Sequence, residues 1–221
     1  LGDLRAVRTL ILRCINKQES LTLQIDECNS IVFFYAHSKF TLLELVVMSG
    51  YPTGGCYWII PESFLAGHHP GHREKNVTLQ RLRQLVEAGF TFFVDLTEEE
   101  ENLLPYAYLR PDIWYVRFPI PDRSVPDSPL LIRGALDVID EALALNRGVY
   151  LHCSGGLGRT GLLAGCWLKE HGYPESAALE RLDQLWCDSS HGAAGEKPGS
   201  PEQRSYVLEW NKHRNAQAIG L

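Results

Sequence analysis

Long apolar segments, an excess of basic residues and a secretory leader are all missing from this chain of 221 residues. No apolar run reaches the roughly 18 residues that a membrane-spanning helix needs, which argues against a membrane protein. The 21 Lys and Arg are outnumbered by 27 Asp and Glu. This argues against a general nucleic-acid binder, because clustered basic side chains bind phosphate backbones. No basic segment followed by an apolar one opens the chain, so no secretory signal is expected.

The cysteines lack the spacing of a metal or redox motif. None belongs to a CxxC pair, which argues against a zinc finger and against a thioredoxin-like site. Six cysteines in 221 residues are also too few for a disulfide-stapled scaffold. Most of them are expected to be reduced and buried, which favours a cytoplasmic protein. They lie at positions 14, 28, 56, 153, 166 and 187.

Turn-forming residues are almost absent from residues 1–47. This segment has no proline and one glycine, whereas all 12 prolines and 18 of the 19 glycines follow it. A folded domain needs such residues at its turns. We therefore expect residues 1–47 to be an N-terminal appendage or an extension outside the natural product, and residues 48–221 to be the main domain. The alternative is that residues 21–25 and 30–35 pair as an edge hairpin of that domain.

Strands and helices are predicted to alternate after residue 56. This order predicts an α/β fold with a central, mainly parallel sheet flanked by helices. Strands are predicted over residues 56–60, 64–66, 91–96, 113–118 and 149–152, and helices over residues 77–88, 130–145, 159–171, 175–186 and 205–214.

One segment carries most of the chemistry: residues 149–161 read VYLHCSGGLGRTG. A buried strand is predicted to deliver Cys153 to a glycine-rich loop, and a helix begins directly after that loop. Glycines allow positive φ, so successive backbone N–H groups can converge on an anion at which the helix dipole also points. The loop therefore predicts a phosphate-binding site. Its expected contacts are Ser154, Gly155, Gly156, Leu157, Gly158 and Arg159.

Side chains around this loop fit covalent cleavage of a phosphate ester. Cys153 is the expected nucleophile, because a ring of N–H donors favours the reactive thiolate. Arg159 offers a permanently charged guanidinium that can bind two phosphate oxygens, and Thr160 can donate its hydroxyl to the departing sulfur. His152 is expected to orient the loop rather than to transfer protons. These groups supply the positive charge, so no metal or other cofactor is expected.

The motif His152-Cys153-x5-Arg159-Thr160 resembles the signature of the cysteine-based protein tyrosine and dual-specificity phosphatases. Within that superfamily the chain is similar to the kinase-associated (cyclin-dependent kinase inhibitor 3-like) phosphatases and their bacterial relatives, over about residues 56–210. The resemblance implies a tyrosine phosphatase-like fold and an enzyme that hydrolyses phosphotyrosine, with phosphoserine and phosphothreonine as further substrates. A phosphorylated protein is then the expected partner, and a monomer the expected state.

The resemblance also implies a general acid that protonates the leaving oxygen. Asp122, in the segment FPIPD, lies 31 residues before Cys153 and resembles the acid of the family. Asp127 is the rival candidate, and its other interpretation is the N-cap of the next helix. Gln203 could position the hydrolytic water, as a glutamine does in tyrosine phosphatases, or it could be an exposed residue in the first turn of a helix.

Three further groups of polar residues have simpler interpretations. Asp95 and Glu98 are expected to cap the end of a strand rather than to act in catalysis. The acidic residues 98–101 are expected to form a solvated start of a helix. The sequence GHHPGH at residues 67–72 fits no common zinc spacing and is expected to be a polar loop near the rim of the site.

Other functions share part of this pattern. A phosphate-binding pseudophosphatase would have the same loop but would lack the nucleophile or the acid, and both Cys153 and Asp122 are present. A lipid phosphatase is less favoured, because residues 154–158 contain no lysine. Rhodaneses and arsenate reductases also place a cysteine in an anion loop, but Cys166 is poorly placed to act as a resolving cysteine.

Overall fold

A computed structural model describes residues 51–174, 176–189 and 199–218. The chain divides into two units after Gly50, and every described residue belongs to the second unit, Tyr51–Leu221. The appendage predicted for residues 1–47 and the alternative hairpin both lie outside the described residues and remain predictions.

Strands and helices alternate along the described part of the chain, as the sequence predicts. The strands are β1 (Cys56–Ile60), β2 (Phe64–Gly67), β3 (Phe90–Asp95), β4 (Trp114–Arg117) and β5 (Gly148–His152). The helices are α1 (Lys75–Glu87), α2 (Pro129–Ala144), α3 (Gly158–Glu170), α4 (Ala177–Cys187) and α5 (Pro201–Ala218). Two short 3-10 helices, Glu99–Glu101 and Ala107–Leu109, lie between β3 and β4.

The five strands form one sheet in the order β1-β2-β5-β3-β4. Only β1 and β2 pair antiparallel in this sheet, while β2 with β5, β5 with β3 and β3 with β4 are parallel. The predicted α/β fold with a mainly parallel sheet is confirmed. Strand β5 lies in the centre, so the residues that follow it emerge in the middle of the carboxyl edge, where open α/β sheets bind their ligands.

Helices and loops cover both faces of the sheet. Successive side chains of β5 point to opposite faces of the sheet. Val149 and Leu151 belong to the hydrophobic core between the sheet and α2–α5, whereas Tyr150 belongs to the core between the sheet and α1. All five residues of β5 are buried. The predicted burial of this strand is therefore confirmed, and it gives the loop after it a rigid base.

Helix α5 begins four residues before the position predicted from its apolar pattern. Ser200 Oγ accepts a hydrogen bond from the N–H of Gln203 (3.2 Å), and Gln203 Oε1 accepts one from the N–H of Ser200 (2.9 Å). This reciprocal pair is a capping box, and Pro201 occupies the first helical position, where its missing N–H costs nothing. The polar first turn explains why hydrophobic periodicity placed the start too late.

Candidate active site

The loop of residues 153–159, named here the Cys153 loop, connects β5 to the start of α3. Cys153 is 3% exposed, while the next two residues, Ser154 and Gly155, are exposed. The sulfur therefore lies at the buried base of the loop, and the residues after it form the part that is exposed to solvent. Leu157 and Gly158 are half-buried; Leu157 is the N-cap of α3, and Gly158 is its first residue. The structure thus brings together the cysteine, the loop backbone and the helix N-terminus, as the sequence predicts.

Two hydrogen bonds hold the Cys153 loop against β1 and the segment that follows β2. The N–H of His69 donates to the carbonyl of Ser154 (3.0 Å), and the Tyr57 hydroxyl donates to the carbonyl of Gly156 (3.3 Å). Gly156 has φ of +75°, and a Cβ there would lie 2.5 Å from the carbonyl carbon of Gly67. Only glycine fits at this position, because both the backbone conformation and the close approach exclude a side chain.

Arg159 lies in the first turn of α3 and is 1% exposed. Its Nη1 and Nη2 form a two-pronged ion pair with Glu101, at 2.5 and 2.9 Å. Nη1 also donates to the carbonyl of Ile120 (3.0 Å), and Nη2 lies 3.1 Å from Asp122 Oδ1. The Arg159 hydrogen bonds hold the pKa of Glu101 below its usual range, so this carboxylate stays charged and fixes the guanidinium plane.

Two buried donors at this site have no hydrogen-bond partner among the described residues. They are Arg159 Nε and Thr160 Oγ1, and Thr160 is completely buried. Buried polar groups are normally paired, so unpaired donors near an anion loop indicate that a ligand supplies the acceptor. A tetrahedral oxyanion fits this need, since its oxygens can accept hydrogen bonds from Arg159 Nε and from the backbone N–H groups of the Cys153 loop.

Glu101 is a site residue that the sequence analysis missed. The prediction of a solvated acidic segment holds for Glu99 and Glu100, which are exposed, but is wrong for Glu101. Its side chain is 18% exposed and accepts a hydrogen bond from the N–H of Glu98 (2.8 Å) as well as the Arg159 ion pair. The two ion-pair partners lie 58 residues apart, and no local pattern indicates such a contact.

Of the two candidate acids, the structure brings only Asp122 to Arg159. Asp122 lies in the loop of residues 118–128, named here the Asp122 loop, and its side chain is 61% exposed. Asp127 is exposed and has no hydrogen bond or ion pair among the described residues. The N-cap interpretation of Asp127 is wrong, because Ser128 caps α2 by accepting a hydrogen bond from the N–H of Leu130 (3.3 Å).

Gln203 ties the Asp122 loop to the start of α5. It is 1% exposed, so the interpretation as an exposed residue is wrong. Its Nε2 donates to the carbonyl of Ser124 (2.8 Å), while its Oε1 accepts from the N–H of Ser200 (2.9 Å). The amide also packs against Gly158, where a Cβ would lie 3.0 Å from Oε1. With both ends of its amide bonded, Gln203 acts as a support between the two loops in this structure.

His152 is buried behind the Cys153 loop in a group of polar and aromatic residues. Its Nε2 lies 2.5 Å from the Tyr106 hydroxyl, and its Nδ1 lies 3.3 Å from the carbonyl of Cys153. Asp95 Oδ1 is 3.8 Å from Nδ1 and accepts hydrogen bonds from the N–H and hydroxyl of Thr97, at 2.8 and 2.7 Å. Asp95 therefore caps the end of β3, as predicted, and His152 contacts the loop backbone, as expected of an orienting residue.

The buried histidine predicts a loss of stability in mild acid. Burial lowers the pKa of His152 from 6.5 to about 4, although nearby Asp95 opposes this shift. Below pH 6.5 the unfolded chain takes up a proton at this site and the folded chain does not, so stability falls from pH 6.5 to about 4. We expect a loss on the order of 2–3 kcal/mol in urea unfolding across this range.

A His152→Gln variant tests the origin of this pH dependence. Burial also lowers the pKa of His69, so part of the slope should remain in the variant. A slope equal to that of the wild type would show that His152 is not the titrating group.

The loop of residues 67–72 borders the Cys153 loop and is only partly polar. His69 is buried against the rings of Tyr106 and His152, and its Nδ1 accepts a hydrogen bond from the N–H of Gly71 (3.0 Å). His72 Nδ1 accepts from the N–H of Glu74 (3.0 Å). Within residues 51–174, 176–189 and 199–218, no group of three or more histidine, cysteine or acidic residues could hold a metal ion.

The tyrosine phosphatase class of site has three defining features. They are a central parallel strand, a cysteine in an anion-binding loop after that strand, and an arginine at the start of the helix that follows. Comparisons with known proteins agree with this assignment. Residues 68–173 match the family described as polymorphic toxin system, DSP-PTPase phosphatase. This match covers 106 of the 221 residues, and it supports the resemblance to the cysteine-based tyrosine and dual-specificity phosphatases that the signature motif predicts.

Two curated relatives and one solved structure illustrate the likeness. "Putative tyrosine phosphatase 067L" of Invertebrate iridescent virus 3 is 37% identical over 93 residues, which is 40% of this chain and 38% of the relative. Dual specificity protein phosphatase CDC14B of Mus musculus is 27% identical over 189 residues, covering 80% of this chain and 35% of the relative. This chain thus spans little more than a third of either relative.

The solved structure of kinase associated phosphatase shares the fold. Its TM-score is 0.56 at 21% identity, and the match covers 76% of this chain and 96% of that one. The predicted likeness to this group therefore holds at the level of the fold. Among the helices of the described residues, none combines the length and the hydropathy of a membrane span.

Proposed function

We propose that this protein is a phosphoprotein phosphatase that hydrolyses phosphotyrosine, and also phosphoserine and phosphothreonine, through a phosphocysteine intermediate. The observation that carries the proposal is the pair of unpartnered buried donors, Arg159 Nε and Thr160 Oγ1, beside Cys153 in a glycine loop at a helix start. Such a set of donors stabilises an oxyanion, and Cys153 places a nucleophile among them.

In the first step the phosphate group lies in the Cys153 loop against the backbone N–H groups and Arg159. The Cys153 thiolate attacks phosphorus, so that a P–S bond forms while the bond from phosphorus to the ester oxygen breaks. Asp122 donates a proton to that leaving oxygen, which departs as a neutral alcohol or phenol. The 3.1 Å contact between Asp122 and Arg159 supports this role, because it holds the acid beside the phosphate clamp.

In the second step water attacks phosphorus and Asp122 takes up its proton. The P–S bond breaks, inorganic phosphate forms and the thiolate returns. A hydrogen bond from Thr160 Oγ1 to the departing sulfur lowers the energy of the thiolate, which gives the buried hydroxyl a partner. The loop N–H groups and Arg159 stabilise the charge on the transferred phosphoryl group in both steps, so no metal enters the mechanism.

A protein substrate is favoured over a lipid because Ser154 and Gly155 at the mouth of the site are exposed and residues 154–158 carry no lysine. We further propose that the protein acts as a cytoplasmic monomer. A catalytic thiol needs a reducing compartment, since a reactive, solvent-accessible thiolate is readily oxidised.

Hydrolysis of para-nitrophenyl phosphate in the presence of EDTA tests the chemistry directly. A matched set of peptides that differ only in carrying phosphotyrosine, phosphoserine or phosphothreonine then tests the substrate class. We expect turnover of the aryl phosphate despite EDTA and of the phosphotyrosine peptide with the highest kcat/KM. Binding of phosphopeptides without turnover would instead favour the pseudophosphatase alternative, and dependence on an added metal would contradict the mechanism.

A further inference from the structure

One carbonyl group of the Cys153 loop is held by a side chain of strand β1. The Tyr57 hydroxyl donates to the carbonyl of Gly156 (3.3 Å), and the Tyr57 side chain is completely buried. In a trans peptide this carbonyl and the N–H of the next residue, Leu157, point in opposite directions. Because the carbonyl of Gly156 is bonded on the side of the core, the Leu157 N–H points away from the core.

The peptide between Gly156 and Leu157 needs such a partner to keep its orientation. Gly156 has φ of +75°, and glycine restricts the rotation of the peptide after it less than any other residue does. If this peptide turned over, its carbonyl would face a bound anion and repel it. The Leu157 N–H has no hydrogen-bond partner among the described residues, so in the observed orientation it is available to an anion.

Tyr57 is suited to act as a fixed donor. The Trp186 ring packs edge-on against it, with the ring centroids 5.8 Å apart. Burial, with a smaller effect of the nearby Cys153, raises the pKa of Tyr57, so the hydroxyl keeps the proton that it donates. Phenylalanine would fill nearly the same space in the core, so the hydroxyl is the part of this side chain that serves the loop.

We propose that Tyr57 is a positioning residue of the phosphatase reaction, which acts by directing the Leu157 N–H at the phosphoryl group. The proposal rests on the proposed function for the anion that the loop binds. Tyr57 acts through the carbonyl of Gly156 and needs no contact with the substrate. Without its hydroxyl the loop would lose one of the N–H groups that stabilise the charge of the transferred phosphoryl group.

A second carbonyl of the same loop provides an internal comparison. The N–H of His69 donates to the carbonyl of Ser154 (3.0 Å), so the N–H of Gly155 points away from His69 by the same geometry. This donor belongs to the backbone, and no substitution at Tyr57 removes it. Loss of the Tyr57 hydroxyl should therefore affect the N–H of Leu157 and spare that of Gly155.

Titration of the ¹⁵N-labelled protein with inorganic phosphate, followed by NMR, tests the proposal without turnover. In the wild type we expect the amide signals of both Gly155 and Leu157 to shift as phosphate binds. In Tyr57→Phe the shift of Leu157 should be largely lost while that of Gly155 remains. The dissociation constant for phosphate should rise about three- to tenfold, the range for one hydrogen bond. These signals come from the folded protein, so a loss of stability alone would not change them.

Tyr206→Phe is the matched control, because Tyr206 is also buried but its hydroxyl has no partner among the described residues. It should leave the affinity for phosphate within about twofold of the wild type. In Tyr57→Phe, kcat/KM for para-nitrophenyl phosphate should fall by at least the factor by which the dissociation constant rises, since the same N–H stabilises the phosphoryl group during the reaction.

The proposal is overturned if the Leu157 signal of the wild type does not respond to phosphate, or if Tyr57→Phe binds phosphate as tightly as the wild type. It is also overturned if Tyr206→Phe weakens binding as much as Tyr57→Phe, because the effect would then be a general one of the core. Failure of the proposed function would appear separately, as a wild-type protein that binds phosphate but does not hydrolyse para-nitrophenyl phosphate.

Discussion

Replacing Cys153 with serine is expected to reduce the hydrolysis of para-nitrophenyl phosphate by a factor on the order of 10⁴ or more. The sulfur lies at the base of an anion loop beside Arg159, and Cys153 is the only thiol in that loop. A serine hydroxyl ionises far less readily than a thiol. The phosphoryl group would then have no acceptor, although the loop that binds it would be intact.

Steady-state kinetics of the wild type, Cys153→Ser and Cys187→Ser would check this expectation. Cys187 is the exposed free thiol at the end of α4 and serves as the matched control. Cys166 would be a poorer control, because burial raises its pKa and a serine there would disturb the core. Cys153→Ser should still bind phosphopeptides, while Cys187→Ser should match the wild type. Turnover by Cys153→Ser within tenfold of the wild-type rate would contradict a phosphocysteine intermediate.

The sequence predicted those parts of the site that are local in the chain. Cys153, the loop glycines and Arg159 lie within seven consecutive residues, and the strand before them and the helix after them have regular hydrophobic patterns. Asp122 was found through its position in a family pattern, and the contact with Arg159 agrees with that assignment. These features were predictable because each depends on neighbours along the chain or on a motif of fixed spacing.

The features that were missed depend on contacts between distant segments. Glu101 stands in an acidic run, and a solvated helix start is the ordinary interpretation of such a run; only the fold shows that it pairs with a buried arginine. Gln203 was left with two interpretations because its partner Ser124 lies 79 residues earlier. Burial of a charged or donor group reveals its need for a partner, and burial follows from the tertiary structure.

Replacing Asp122 with asparagine is expected to lower the turnover of phosphotyrosine peptides by roughly 10²–10⁴-fold, the range for loss of a general acid. Asparagine keeps the size of the side chain but cannot deliver a proton to the leaving oxygen. The loss should be smaller for para-nitrophenyl phosphate, since its leaving group is stable as an anion and needs less protonation. This dependence on the leaving group separates an acid from a residue that merely supports Arg159, whose loss would affect both substrates alike.

Asp127→Asn is the matched control, because Asp127 lies in the same loop and is exposed but does not contact Arg159. Its kcat should stay within about twofold of the wild type, as is usual for a surface change away from the site. If Asp127→Asn is the damaging substitution, the acid has been assigned to the wrong residue. If Asp122→Asn lowers the rates with both substrates by the same factor, Asp122 acts through the 3.1 Å contact with Arg159 and another group protonates the leaving oxygen.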